Sequence, residues 1–153
     1  MSFELKSSSF ENGKNLPLKH TCDGENISPQ LTWADAPAET QGYAIVCDDP
    51  DAPGGTFVHW IIYNIGSEIN TLNENIVKEK LTKEKFKQGV NDFGTIGYSG
   101  PRPPKNNKHR YFFKLYALDY VPNILSGISK QELLLEIMNH ILAETQLVGI
   151  YGR

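Results

Sequence analysis

The sequence predicts a mostly β fold, an antiparallel two-sheet β-sandwich with one C-terminal helix and short peripheral helices. Three observations carry that expectation. Apolar and polar residues alternate with period two in short runs, turns rich in glycine and proline separate the runs, and only one stretch holds apolar residues at sustained helical spacing. A parallel sheet would need more crossover helices than this chain supplies, and no fixed-period repeat points to a solenoid or propeller. The 153 residues read as one domain, 1–153, long enough to bury about 70% of the surface its unfolded form exposes.

Phe3 to Phe10 alternates like an opening strand, and Glu11-Asn12-Gly13-Lys14 is a turn. Between Leu16 and Trp33, the breakers Pro17, Asp23-Gly24 and Ser28-Pro29 interrupt any helix and leave short extended pieces, with Trp33 expected in the core. Asn26-Ile27-Ser28 has the form of a glycosylation sequon but precedes a proline and reads as plain loop. Tyr43 to Ile65 reads as strand, rigid corner, strand. The apolar run Tyr43 to Cys47 ends in Asp48-Asp49, Pro50 and Pro53 fix the corner, and an aromatic, β-branched run carrying His59 follows. Ser67 to Gln88 is polar and reads as a surface excursion with at most a short helical turn. Gly89 to Pro104 is a loop long enough to imply a function. From His109 to Leu118 period two returns, with His109, Tyr111, Phe113, Leu115 and Ala117 on one face and Arg110, Phe112, Lys114 and Tyr116 on the other. Ser129 and Glu132 make a capping box that opens a helix over roughly residues 130–144, and Leu147 to Tyr151 is a closing strand.

A formal charge of -3 provides no basic field for nucleic acid, which is excluded as a partner. Cys22 and Cys47 show no CxxC or Cys/His metal spacing and read as reduced side chains. No run of about 18 apolar residues is available to span a bilayer, and the opening residues lack the apolar core of a secretory signal. A soluble, cytoplasmic protein without integral membrane contact is expected.

The candidate chemistry lies in Asp49, Asp51, His59, His109 and Tyr111, with the approach Gly97-Tyr98-Ser99-Gly100-Pro101 beside them. Two imidazoles and a phenol supply donors, a carboxylate can hold an imidazole in one tautomer, and glycines let backbone N–H groups come close to a ligand. Such a set suits a small anion, above all a phosphate. Taken singly, each histidine and Tyr111 reads as a core or boundary side chain, and each aspartate as a turn cap. Their combination in a chain with four histidines is what points to a site.

In this order, Asp49-Pro50-Asp51-Ala52-Pro53 with His59, then Gly97 to Pro101 with Pro103-Pro104, then His109-Arg110-Tyr111, resemble the two signature blocks of the phosphatidylethanolamine-binding protein family. Thr21-Cys22-Asp23-Gly24, the stretch from Ser28-Pro29 to Trp33, and the ending Leu147 to Arg153 resemble its bacterial and archaeal Raf kinase inhibitor-like branch. The resemblance covers nearly the whole chain. It implies a sandwich with an anion pocket at one end, in which Asp49, His59, His109 and Tyr111 are pocket residues and Pro53, Trp60, Gly100 and Pro101 shape the walls. It also implies phosphate or phosphoethanolamine-like ligands and, in some members, inhibition of a protein kinase or protease. Two departures stand out. Arg102 places a permanent cation where related sequences often have a small residue or cysteine, and Asn106-Asn107 occupies a turn where glycine is common.

The leading expectation is a binding module for a small anion that needs no cofactor or metal. The alternative is a hydrolase or other acid/base enzyme acting on a phosphorylated substrate in the same pocket. Against it, Gly97 to Pro101 lacks the final glycine of G-x-S-x-G, and neither cysteine has an adjacent histidine. Two histidines and a carboxylate on iron or zinc are geometrically conceivable but lack a compact ligand motif. Nothing in the sequence fixes the oligomeric state, a homodimer included.

Overall fold

The computed structural model describes residues 2–153. In chain order its elements are β1 (Glu4–Lys6), β2 (Lys14–Asn15), β3 (Leu31–Ala34), β4 (Gly42–Asp49), β5 (Phe57–Gly66), β6 (Thr71–Leu72), β7 (Lys87–Gln88), β8 (Lys108–Leu118), α1 (Lys130–Ile137) and β9 (Ile141–Gly152). Strands β1-β3-β6 form a small sheet, and β2-β9-β8-β4-β5-β7 a larger one. Neighbours run antiparallel except β2 and β9, which pair in parallel with Lys14 opposite Gly149.

The most apolar runs become the central strands of the larger sheet, and all eight residues of β4 are buried. One face of that sheet carries Tyr43, Ile45, Trp60, Ile62, Phe113 and Leu115 against Leu5, Leu31 and Trp33 of the small sheet. On the other face, Ala44, Val46, Ile61 and Tyr63 are covered by Leu133 and Ile137 of α1. Both cysteines are free thiols, Cys47 buried and Cys22 half-buried.

The end of the chain differs from the expectation of a helix over 130–144. The capping box forms, with Ser129 Oγ accepting from the Glu132 N–H at 3.2 Å and Glu132 Oε1 accepting from the Ser129 N–H at 3.1 Å. The helix nevertheless stops at Ile137, and the closing strand begins at Ile141 instead of Leu147. The reason is a competing partner. From Ile141 onward the chain pairs with β8, from Leu118 opposite Ile141 to Lys108 opposite Gly152 with one bulge at Leu142, so inter-strand bonds replace the helical ones. Ser67 to Gln88 likewise holds no helix, only β6 and β7, and Leu72 and Phe86 anchor it in the core. Among the described residues the one further helical piece is a 3-10 turn over Leu18–His20, and no helix is long and apolar enough to cross a membrane.

Because α1 is held by its buried side chains, Leu133→Ala should cost about 2–5 kcal/mol of unfolding free energy. Leu135→Ala, at a site 64% exposed, should change it by no more than about 0.5 kcal/mol. Urea unfolding of the two variants checks this, and similar losses would mean that α1 does not cover the sheet.

Candidate functional site

Asp49 ends β4 and begins the corner. Its Oδ1 accepts the Asp51 N–H at 2.8 Å, closing an Asx-type turn, and its Oδ2 accepts from His109 Nδ1 at 2.7 Å. Both partners of that second bond are buried, Asp49 being 3% exposed and His109 6%. An ionised carboxylate can only accept, so Nδ1 of His109 carries the proton and Nε2 is the nitrogen left for the pocket. Asp51 has a different task. Its Oδ2 accepts from both the backbone N–H and Nε of Arg110 at 2.9 Å, and its Oδ1 accepts from Nη2 at 2.8 Å. These bonds with Arg110 hold the Asp51 carboxyl down at about 2 and tie the corner to β8.

His59 reaches the same place through a bulge. Cys47 pairs with Trp60 and Asp48 with Val58, so His59 is the extra residue on β5. In a regular strand adjacent side chains point to opposite faces, whereas the bulge turns both His59 and Trp60 toward the space between the sheets. Trp60 continues into the core, donating Nε1–H to Gln88 Oε1 at 2.8 Å and meeting Tyr98 edge-on at 5.6 Å. His59 stays at the margin, edge-on to Tyr111 at 5.3 Å. Its Nδ1 donates to the Ser99 carbonyl at 2.6 Å, and the Ser99 N–H returns a bond to the His59 carbonyl at 3.1 Å. Burial lowers the pKa of His59, with the Ser99 carbonyl and Asp49 opposing the shift.

Tyr111 follows His109 by two residues on β8 and shares its face. The side chain is buried, and its hydroxyl has no hydrogen-bond partner among the described residues. Burial, then the charge of Asp49, pushes its pKa far above the ordinary phenol value, so the hydroxyl keeps its proton.

These groups line a pocket of about 230 Å³ together with Ala52, Pro53, Phe57, Phe93, Arg102, Pro103 and Pro104. Of the residues the sequence pointed to, Asp49, Pro53, His59, His109 and Tyr111 meet there. Trp60, Gly100 and Pro101 do not line it. Trp60 is fully buried in the core. Gly100 lies so close to the loop before it that a Cβ would collide with the His20 carbonyl, and its N–H is donated to Asn26 Oδ1 at 2.6 Å, which removes it as a donor to a ligand. Pro101 accepts the Cys22 N–H at 3.1 Å.

Phe57 and Phe93 are the pocket residues that sequence reasoning missed. Phe57 was accessible in principle, since it stands two residues before His59. Phe93 carries no such signal. Its place depends on two long-range bonds of the 89–104 loop and one local one: Asp92 Oδ2 accepts the Val58 N–H at 2.7 Å, the Asp92 N–H donates to the Val58 carbonyl at 2.9 Å, and Asn91 Oδ1 caps the Phe93 N–H at 3.0 Å. The Phe57 and Phe93 rings meet edge-on at 4.7 Å and both lean on His59. Among the described residues no group of three or more His, Cys, Asp or Glu side chains is placed to hold a metal ion.

Comparison with known proteins gives the family and the fold. The family model described as phosphatidylethanolamine-binding protein matches residues 6–152. A UPF0098 protein of Methanothermobacter thermautotrophicus is 45% identical over 149 residues, 97% of this chain and 98% of its own length. One from Aquifex aeolicus is 43% identical, covering 98% of this chain and 88% of its own. Among solved structures, a Chlamydia trachomatis protein described as a putative phosphatidylethanolamine-binding protein homolog superposes with a TM-score of 0.90 at 36% identity, covering 99% of this chain and 98% of the other. Escherichia coli YbcL, described as a new member of the mammalian family of that name, gives 0.92 at 30% identity, covering 100% and 99%.

Asp49→Asn tests what holds His109. Asparagine offers one oxygen to two donors, so the variant should lose about 1–3 kcal/mol of stability. It should also move His109 toward the tautomer protonated at Nε2, read from imidazole ¹⁵N shifts. An unchanged tautomer would show that Asp49 does not set it.

Proposed function

The chain belongs to the phosphatidylethanolamine-binding protein family, and from that premise we propose that it binds a small anion, a phosphate or a phosphate head-group, in the pocket between the β4–β5 corner and β8. The observation that carries the proposal is the Tyr111 hydroxyl, buried without a partner between two imidazoles whose Nδ1 atoms are already engaged. A buried unsatisfied hydroxyl costs about 1–3 kcal/mol, a penalty that an anionic oxygen accepting its proton would remove. His59 Nε2 and His109 Nε2 supply two more positions toward the same volume, and Pro53, Phe57, Phe93, Pro103 and Pro104 give it largely apolar walls.

The protonation states follow from the donor inventory. A neutral imidazole with its proton on Nδ1 presents only an acceptor at Nε2, so donation to an anion requires the imidazolium. His59, lowered by burial, is largely neutral at pH 7 in the free protein. An anion in the pocket favours its charged form, so binding takes up a proton and weakens as pH rises. The second reading, a hydrolase or other acid/base enzyme acting on a phosphorylated substrate, would use the same His59 and His109 as acid and base.

Titration with inorganic phosphate, followed by imidazole NMR, should perturb His59 and His109 and show affinity at least tenfold higher at pH 5.5 than at pH 8. Sulfate, whose charge is constant over that range, should follow the same trend and so separate histidine titration from that of phosphate. Tyr111→Phe should weaken phosphate binding about tenfold without altering the fold. Absence of any shift at either histidine at both pH values would overturn the proposal.

A further inference from the structure

We infer that Arg102 sets the ligand preference of the pocket, favouring a phosphate compound whose other end is a carboxylate over one whose other end is an ammonium. The inference rests on the anion-binding reading above and specifies the class of ligand within it.

Several of the charges around the pocket are matched in pairs. Asp49 is engaged by His109, Asp51 is clasped by Arg110, and Asp23 holds Arg153 at 3.0 Å. Arg102 lines the pocket, is exposed, and has no carboxylate partner among the described residues. Its segment runs Arg102-Pro103-Pro104-Lys105-Asn106-Asn107-Lys108, with further exposed cations at Lys105 and Lys108 and no acidic side chain. Of the acids flanking Asp49, Asp48 is held by Lys114 and Lys130, and Asp51 is committed to Arg110 through three bonds. A ligand leaving the pocket past Arg102 therefore meets unmatched positive charge, while the exposed acid beside Phe93, Asp92, spends one oxygen on the Val58 N–H.

The backbone that carries Arg102 is also fixed. The carbonyl before it, of Pro101, accepts the Cys22 N–H at 3.1 Å, and the one after it, of Pro103, accepts from Arg153 Nε at 2.8 Å. Pro101 and Pro103 hold their own φ near one value, and Pro103 restricts Arg102 to extended backbone. The Arg102 side chain thus springs from a set backbone position at the mouth and carries a planar fork suited to a carboxylate. Aromatic faces can attract an ammonium, but Phe57 and Phe93 pack against each other and against His59. Attraction of one ligand end and repulsion of the other both act through the same side chain, which makes the discrimination larger than either alone.

The test compares inorganic phosphate, phosphoglycolate and phosphoethanolamine by calorimetric titration at low and high ionic strength. The wild-type protein should bind phosphoglycolate about three- to tenfold more tightly than phosphoethanolamine, with the ratio shrinking as salt screens the rim. Arg102→Ala should bring the two within about twofold, and Arg102→Glu should reverse their order, the ratio being read within each protein and the NMR spectrum of each variant reporting an intact fold. If phosphate binds but the ratio is the same in all three proteins, the role of Arg102 is overturned and the pocket reading stands. If no phosphate compound binds the wild-type protein, the pocket reading fails and this inference fails with it.

Discussion

A buried carboxylate with both oxygens engaged is the constraint on which the site depends. Burying Asp49 without partners would be costly, so the structure around it must deliver donors to each oxygen. One comes from the Asp51 N–H inside the corner and the other from His109 across the sheet on β8. The same group therefore ends a strand, shapes a turn and fixes an imidazole tautomer. His59 is fixed in parallel fashion, with the Ser99 carbonyl in place of the carboxylate. Neither ring can exchange its two nitrogens without breaking an inward bond, so both Nε2 atoms are in place before a ligand arrives. That preorganisation lowers the ordering cost of binding.

The stability of the fold and the affinity of the pocket make opposite demands on His59. Folding buries the ring and lowers its pKa, which favours the neutral form. Donation to an anion needs the charged form. The neighbouring Asp49 moderates the conflict because its negative charge opposes the desolvation. The long 89–104 loop contributes too, since it can place Ser99 on His59 only while the residue before Ser99 is held. Tyr98 provides that hold, donating its hydroxyl to the His20 carbonyl at 2.6 Å and stacking on Phe113 at 6.4 Å.

How much of this was legible in the sequence depends on the range of the interaction. Period two in His109, Tyr111 and Phe113 placed the pocket and core residues of β8 on one face, because alternation is a property of the strand itself. The capping box at Ser129 was legible for the same reason. The helix end was not. Leu133, Leu134, Ile137, Met138, Ile141 and Leu142 lie at helical spacing, but Ile141, Ala143, Thr145 and Leu147 also alternate, and the partner strand decided between the two patterns. Phe93 was illegible because its place is set by side-chain bonds from Asn91 and Asp92 to backbone groups, Val58 among them, that no local pattern announces. Gly100 could be read as a point of close approach, but the approach turned out to be to the His20 loop rather than to a ligand.

The bulge at His59 is where core and pocket are joined, and strict alternation could not have produced that junction. Without the extra residue, His59 would fall in phase with Ile61 and Tyr63, on the face covered by α1, while Trp60 alone faced the small sheet. An imidazole in that layer would have neither Ser99 nor Tyr111 beside it. With the extra residue, two consecutive side chains share one face and divide its functions, the indole completing the core and the imidazole opening onto the pocket. The slip lies between the Cys47 and Asp48 pairings, one residue before Asp49. The irregularity that redirects His59 and the carboxylate that orients His109 therefore occupy the same end of the same strand pair, which is why two histidines fifty residues apart in the chain reach one volume.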